Sequence, residues 1–147
     1  MKNEQYVVES SSSLLKFEFH SEGPKGRIRK QIVFRAFEDA PTVFNLGFGD
    51  VDENDEINDT VVTDNRDSQK VLTTVALAVL RFYEKYSGNF VYVTGSTKSR
   101  TRMYRMGIAK NIEEISASFV IYGYVNDSWE EFKQNTDYQA FLIEKKN

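Results

Sequence analysis

Between Phe90 and Lys110 the run FVYVTGSTKSRTRMYRMGIAK gathers the side chains best suited to holding an anion. Gly95, Ser96 and Thr97 make a small-residue turn, and Lys98, Arg100, Arg102, Tyr104 and Arg105 follow it. A turn of this kind leaves several backbone N–H groups aimed at one place if a helix starts there, and the helix dipole adds partial positive charge. Phosphate or carboxylate is the chemistry such a place accepts. Arginine adds bidentate contacts to either group. Acid–base chemistry is also within reach, with Asp50, Asp67 or Tyr104 as the proton-transferring group and the arginines as electrostatic clamps.

The elements that must position these residues are a strand and a helix. Phe90, Val91, Tyr92 and Val93 are aromatic or β-branched, which predicts a strand over Phe90–Thr94. Gly95 permits a tight turn, and Ser96 or Thr97 can cap the helix that follows. At ~100° per residue, Lys98, Arg102, Arg105 and Ala109 share one face of that helix, and Met103, Tyr104, Gly107 and Ile108 share the opposite one. Arg100 falls in the middle of the apolar face. An arginine there has to pair with a buried carboxylate or hold a ligand, because an unpaired buried charge is costly. Both readings stay open.

Charge is segregated along the chain. Asp50 to Asp67 holds eight acids and one base, Arg66, whereas Lys85 to Ile112 holds six bases and no acid. The net charge of −3 hides this division. The acidic stretch starts like a calcium loop: Asp50, Asp52, Asn54, Glu56 and Asn58 fall at ligand positions 1, 3, 5, 7 and 9. Asp55 stands where such a loop needs glycine, and Val61 where it needs a bidentate glutamate, so an acidic hairpin loop is expected and no metal site. Ile57–Thr63 is expected to return as a strand. A second basic group, Lys25 and Arg27 with Arg29 and Lys30 behind, sits at a Gly23-Pro24-Lys25-Gly26 turn and is an accessory candidate for phosphate, as are Asp50 and Asp67 for proton transfer.

The inventory excludes several classes. There is no cysteine, hence no disulfide, thiol nucleophile or thiolate metal site. His20 is the single histidine and falls on the polar side of a strand beside a turn. Gly95-Ser96-Thr97 lacks the spacing of a Walker loop. Nothing points to a cofactor. No apolar run approaches the ~20 residues of a membrane span, and the first residues lack the apolar core of a signal peptide, so no membrane partner and a cytoplasmic location are expected.

The remaining elements follow from periodicity. Tyr6-Val7-Val8 predicts a short strand. Leu15, Phe17 and Phe19 alternate with Lys16, Glu18 and His20, and Ile28–Phe37 forms the second arm of a hairpin. Thr42–Phe48 is a further strand. Val71, Leu72, Val75, Ala76, Val79, Phe82, Tyr83 and Tyr86 recur at helical spacing behind Asp67 as N-cap, with Gly88 as terminator; this is the central helix. Ser116–Val125 reads as a strand, Trp129–Gln134 as a short helix capped by Asp127 or Ser128, and Tyr138–Ile143 as a closing strand or docked segment. The sum, over a single domain of residues 1–147, is an α+β fold: a twisted, mainly antiparallel sheet, one long central helix, a basic second helix and a short C-terminal helix.

Gly23-Pro24-Lys25-Gly26, Asn45-Leu46-Gly47-Phe48-Gly49-Asp50, Lys70-Val71-Leu72 with Thr74-Val75-Ala76, and Gly95-Ser96-Thr97 with Arg100-Thr101-Arg102-Met103-Tyr104 together resemble a family of small single-domain bacterial proteins of unknown function. The resemblance spans most of the chain and implies one shared fold, with no activity attached.

Three functions are compatible with these residues. The first is a module binding RNA or DNA, in which Lys98, Arg102 and Arg105 contact the backbone and Tyr104 or Tyr92 stacks a base. The second is a toxin-like enzyme acting on nucleotide or nucleic-acid phosphate, with Arg100 and Ser96 holding the phosphoryl group and an aspartate as base or metal ligand. The third is a protein-interaction module or homodimer that docks the basic helix on the acidic 50–67 loop.

Overall fold

The computed structural model describes residues 4–58 and 64–147. Its elements are β1 (Glu9–Ser10), β2 (Lys16–Gly23), β3 (Gly26–Phe37), β4 (Ala40–Val51), β5 (Ile57–Asn58), α1 (Ser68–Tyr83), β6 (Phe90–Val93), α2 (Lys98–Lys110), α3 (Ile112–Ser118), β7 (Phe119–Val125), β8 (Ser128–Glu131) and β9 (Ala140–Lys145). The strands are mostly antiparallel and the class is α+β, as the periodicity predicts. The described residues fall into two compact units, one within 2–35 and 47–86, the other within 36–46 and 87–147.

In the N-terminal unit β2 and β3 form the predicted hairpin, in register from Lys16 opposite Val33 to Gly23 opposite Gly26. The alternation places Phe17, Phe19, Ile32 and Phe34 on the buried face. Phe34 stacks on Phe82 of α1 at 4.5 Å, and Phe19 on Phe48 of β4 at 6.1 Å, so aromatic contacts join helix to strands. Of the apolar stripe of α1, Val71, Val75, Val79, Phe82 and Tyr83 are buried and Leu72, Ala76 and Tyr86 half-buried. The helix ends at Tyr83, not Tyr86; the chain then reaches Gly88, whose φ of +85° suits a residue without Cβ. Tyr6 to Val8 is not a strand. Tyr6 instead inserts its ring against Phe19 at 5.5 Å, and the pairing with β2 starts only at Glu9. The acidic loop is the tip of the β4–β5 hairpin, turned by Asp52, whose carboxylate accepts N–H bonds from Asn54 and Glu56. The strand expected over Ile57–Thr63 is β5 at Ile57–Asn58; the rest of that range lies outside the described residues.

In the C-terminal unit β6 runs parallel to β4 (Val43 opposite Phe90) and antiparallel to β9, which also pairs with β7, while β8 pairs with the far side of β7. Val91, Val93, Phe119, Ile121 and Phe141 are buried on one face. Two expectations fail here. Ile112–Ser118 is the helix α3, so the strand predicted from Ser116 begins at Phe119. The C-terminal helix expected at Trp129–Gln134 is strand β8 and the chain after it. The cause is local: Asn126 and Asp127 both take positive φ, 52° and 61°, and close a two-residue hairpin between Val125 and Ser128. Asp127 or Ser128 read as a helix cap misleads; Asn126-Asp127 read as a type I′ turn predicts the strand. Among the described residues no helix is long and apolar enough to cross a membrane.

Candidate functional site

The turn after β6 has the predicted form. Thr97 is the N-cap of α2, and its hydroxyl accepts a bond from the Arg100 N–H at 3.2 Å. Thr101, one turn into the helix, folds its hydroxyl back onto Gly95, accepting the Gly95 N–H at 3.0 Å. A Cβ at Gly95 would lie 2.4 Å from the Thr101 nitrogen, so only glycine lets the strand end rest on the first turn. The turn is therefore locked from both sides. The first-turn N–H groups of Lys98 and Ser99 face outward, since a helix start provides them no internal acceptor. Ser96, Thr97, Lys98 and Ser99 are exposed around them.

Arg100 is half-buried and does not enter the apolar face. Its guanidinium turns back to donate to the Ser96 hydroxyl, which places a cation over the turn. The residues that face inward from α2 are Thr101 and Tyr104, so the buried side of the helix is rotated from the one drawn by hydropathy. The small hydroxyl of Thr101 fits against Gly95, and that contact, not apolarity, sets the rotation. Tyr104 is 6% exposed and belongs to the core, so the stacking role read for it is withdrawn; Tyr92 is half-buried. Arg105 is half-buried too. It donates from Nη1 to the Thr136 carbonyl at 3.3 Å, and its buried Nε has no partner among the described residues. Arg105 thus ties α2 to the 132–139 segment and is a positioning residue. Lys98 and Arg102 are exposed, and among the described residues neither meets a carboxylate.

The accessory candidates belong to the N-terminal unit and are committed there. Lys30, expected behind the hairpin tip, is 1% exposed with Nζ 2.7 Å from Asp50 Oδ1 and above the Phe48 ring. Arg29 bonds Glu18 at 2.8 Å and also Asp55; the Arg29 bond holds the Glu18 carboxyl below its usual range. Arg27 faces Glu22 at 3.9 Å, both largely exposed. Asp67 occupies the N-cap position of α1 without capping it. Its carboxylate accepts from the Tyr6 hydroxyl at 2.6 Å and the Ser21 hydroxyl at 2.5 Å. Burial first, and then the Asp67 bond, push the Tyr6 hydroxyl above the ordinary phenol value.

Asn65 is the residue that sequence reasoning passed over. It is 1% exposed, accepts the Lys25 N–H at 2.7 Å and donates to the Gly26 carbonyl at 2.8 Å and the Ser21 hydroxyl at 3.2 Å. A Cβ at Gly23 would meet the Asn65 carbonyl oxygen at 2.1 Å. The Gly-Pro-Lys-Gly tip is therefore a receptacle for the Asn65–Asp67 segment, and its polar atoms hold each other. The signal was the pair of glycines around Pro24, which marks close backbone approach as well as a turn. Lys25 lends only its backbone.

The site that stands is the Gly95–Thr97 turn with the exposed first half of α2. No curated protein and no solved structure matches the chain. A family profile matches residues 2–146, nearly the whole length, so the resemblance drawn from the motifs is real: the chain belongs to the family described as "Family of unknown function (DUF6934)".

Proposed function

We propose that this is a small cytoplasmic bacterial protein that binds a phosphate-bearing ligand, nucleic acid by class, at the Gly95–Thr97 turn and along α2. One contrast carries the reading. In the N-terminal unit Arg27, Arg29 and Lys30 each face a carboxylate. On α2, Lys98 and Arg102 face none among the described residues, although cations at a helix start oppose the dipole. Two cations left open at a helix N-terminus give that end positive potential to offer a ligand. Phosphate answers both the cations and the outward N–H groups of Lys98 and Ser99. Ser96 and the Arg100 guanidinium stand beside the same position.

Nucleic acid fits better than a lone anion because Lys98 and Arg102, four apart on one face and both exposed, carry positive potential along the helix beyond the turn, and Lys110 is exposed at its far end. The test is fluorescence anisotropy of short single- and double-stranded RNA and DNA with the intact protein at low and moderate salt. A Lys98→Ala/Arg102→Ala variant is the comparison, since neither side chain supports the fold. Salt-dependent binding that the variant loses supports the reading. Binding of equal strength in both proteins overturns it.

A further inference from the structure

The sheet of the C-terminal unit has a second face that the α2 site does not use. Register fixes its membership: Tyr92 lies opposite Leu142, Leu142 opposite Tyr122, Tyr122 opposite Glu131, Tyr124 opposite Trp129, and Phe90 opposite Glu144. The alternate residues Val91, Val93, Ile121 and Phe141 are buried, so the core lies on the other side. On this face the rings form a row. Phe37 meets Tyr92 edge-on at 5.8 Å, Tyr92 meets Trp129 at 6.2 Å, and Trp129 meets Tyr124 at 5.1 Å. Strands β6 and β8 are separated by β9 and β7, about 14 Å at ~4.8 Å per strand, so the Trp129 indole reaches across two strands to touch Tyr92. Trp129 remains 42% exposed, and Phe37 at the other end is 37% exposed.

Across strands β6 to β9 the charge on this face is of one sign. Glu131 and Glu144 are its charged residues in the paired strands, and among the described residues neither has a cationic partner. Glu144 accepts a bond from the Tyr122 hydroxyl at 3.0 Å. That bond first, then burial and the charges of Glu144 and Glu131, hold the Tyr122 hydroxyl above the ordinary phenol value. The two carboxylates therefore act on one spot without an offsetting charge.

We propose that this aromatic, acidic face docks a cationic segment of a partner protein, with arginine or lysine side chains lying over Trp129 and Tyr92 and their charges reaching Glu131 and Glu144. Aromatic faces attract cations through the ring quadrupole, and long basic side chains have aliphatic stems that cover ring surface. The alternatives answer less of the surface. A phosphate backbone would face two carboxylates, so stacked nucleic-acid bases are disfavoured here. An apolar helix would leave both carboxylates desolvated and unpaired. The proposal is independent of the α2 reading, which uses other residues.

Trp129 is the single tryptophan of the chain, so its emission reports on this face directly. The experiment titrates the intact protein with a synthetic peptide of alternating arginine and glycine, beside its glutamate–glycine counterpart. Tryptophan emission is followed, and in parallel the anisotropy of a labelled copy of the peptide. A saturable change with the arginine peptide alone, weakened by about tenfold in Glu131→Gln/Glu144→Gln, is expected from two surface charge contacts, one exposed and one half-buried. Trp129→Leu, checked for folding by circular dichroism, keeps apolar cover without the indole and should also weaken the labelled peptide's binding. Lys98→Ala/Arg102→Ala should leave it intact, which separates this surface from the α2 site. Equal binding by the glutamine variant, no binding at all, or quenching by single-stranded RNA in place of the peptide would each overturn the proposal.

Discussion

Lys30 Nζ lies 2.7 Å from Asp50 Oδ1, with the lysine side chain 1% and the aspartate 14% exposed. The ammonium is buried with an aromatic ring, Phe48, 5.6 Å away. Removing one partner leaves the other charge desolvated, which costs about 3–5 kcal/mol in comparable pairs. Lys30→Met should therefore destabilise the protein by about 3 kcal/mol in urea denaturation. Lys30→Met/Asp50→Leu should recover most of the loss, because replacing both charges removes the desolvation penalty as well. Additive single and double effects would show that the two residues are not coupled.

This pair marks where the sequence stops being legible. Periodicity locates β2, β3, β4, α1, β6 and α2, because each has one buried face and a regular repeat. It places Lys30 on the same strand face as Ile32 and Phe34 but cannot show what pairs the ammonium there, since its partner arrives from another strand twenty residues away. The acidic 50–67 stretch and the basic hairpin look like two charge blocks, yet Asp50 and Asp55 neutralise Lys30 and Arg29. The α2 block keeps its charge because no carboxylate reaches Lys98 or Arg102 among the described residues. The burial of Tyr104 and the Arg105 contact with Thr136 escape periodicity for a similar reason: the Thr101–Gly95 bond is a side-chain contact with no periodic signature. Asn126-Asp127 had a signature, that of a hairpin turn, which the competing helix-cap reading obscured.

Glycine substitutions should separate crowding from backbone strain. At Gly95 and Gly23 an added methyl would meet backbone at 2.4 and 2.1 Å, and neither contact can be relieved by a rotamer. Gly95→Ala and Gly23→Ala should each cost about 2–3 kcal/mol or more, as overpacked sites do. Gly26 and Gly88 have positive φ but open space around the missing Cβ. Alanine there should cost about 1 kcal/mol from backbone conformation alone. Thermal melts of the four variants check the order, and equal losses at all four positions would contradict the crowding argument.

Stability should fall at both ends of the pH range, through different groups. The bond from Arg29 holds the Glu18 carboxyl below its usual value of 4.5. A depressed carboxyl contributes stability above its unfolded pKa, and the contribution is lost as pH falls through 4.5 towards the folded value. Glu18→Gln should flatten that acid limb. Tyr6 and Tyr138 are shifted the other way, above 10.0, chiefly by burial. Their neutral forms are favoured in the fold, so stability is complete below 10.0 and declines as pH rises through it. Tyr6→Phe should lower stability at neutral pH through the lost Asp67 bond and make the alkaline decline shallower. Urea midpoints across pH for the three proteins provide the check.

Arg102 is exposed and has no ion-pair partner among the described residues, so its removal should be silent for stability. If α2 follows a phosphate backbone, Arg102→Ala should reduce the slope of log affinity against log salt by about one unit, the loss of one phosphate contact. The change should be similar for different base sequences, because backbone contacts carry no sequence information. Parallel salt titrations of wild type and variant decide the matter, and identical slopes would remove Arg102 from the track.

Thr97 offers the sharpest separation of folding from binding. Its hydroxyl caps α2 by accepting the Arg100 N–H at 3.2 Å. Thr97→Ala loses that bond and should cost about 1 kcal/mol of stability. Thr97→Asp keeps an acceptor in place and adds a negative charge at the positive end of the helix dipole, so stability should be retained or rise slightly. The same carboxylate would occupy the position proposed for the phosphate and repel it. Thr97→Asp should thus match wild type in a melt while losing most of its nucleic-acid affinity, whereas Thr97→Ala should melt earlier and still bind. If Thr97→Asp binds RNA and DNA as wild type does, the helix start is not where phosphate sits, and the exposed cations further along α2 would have to hold the ligand without it.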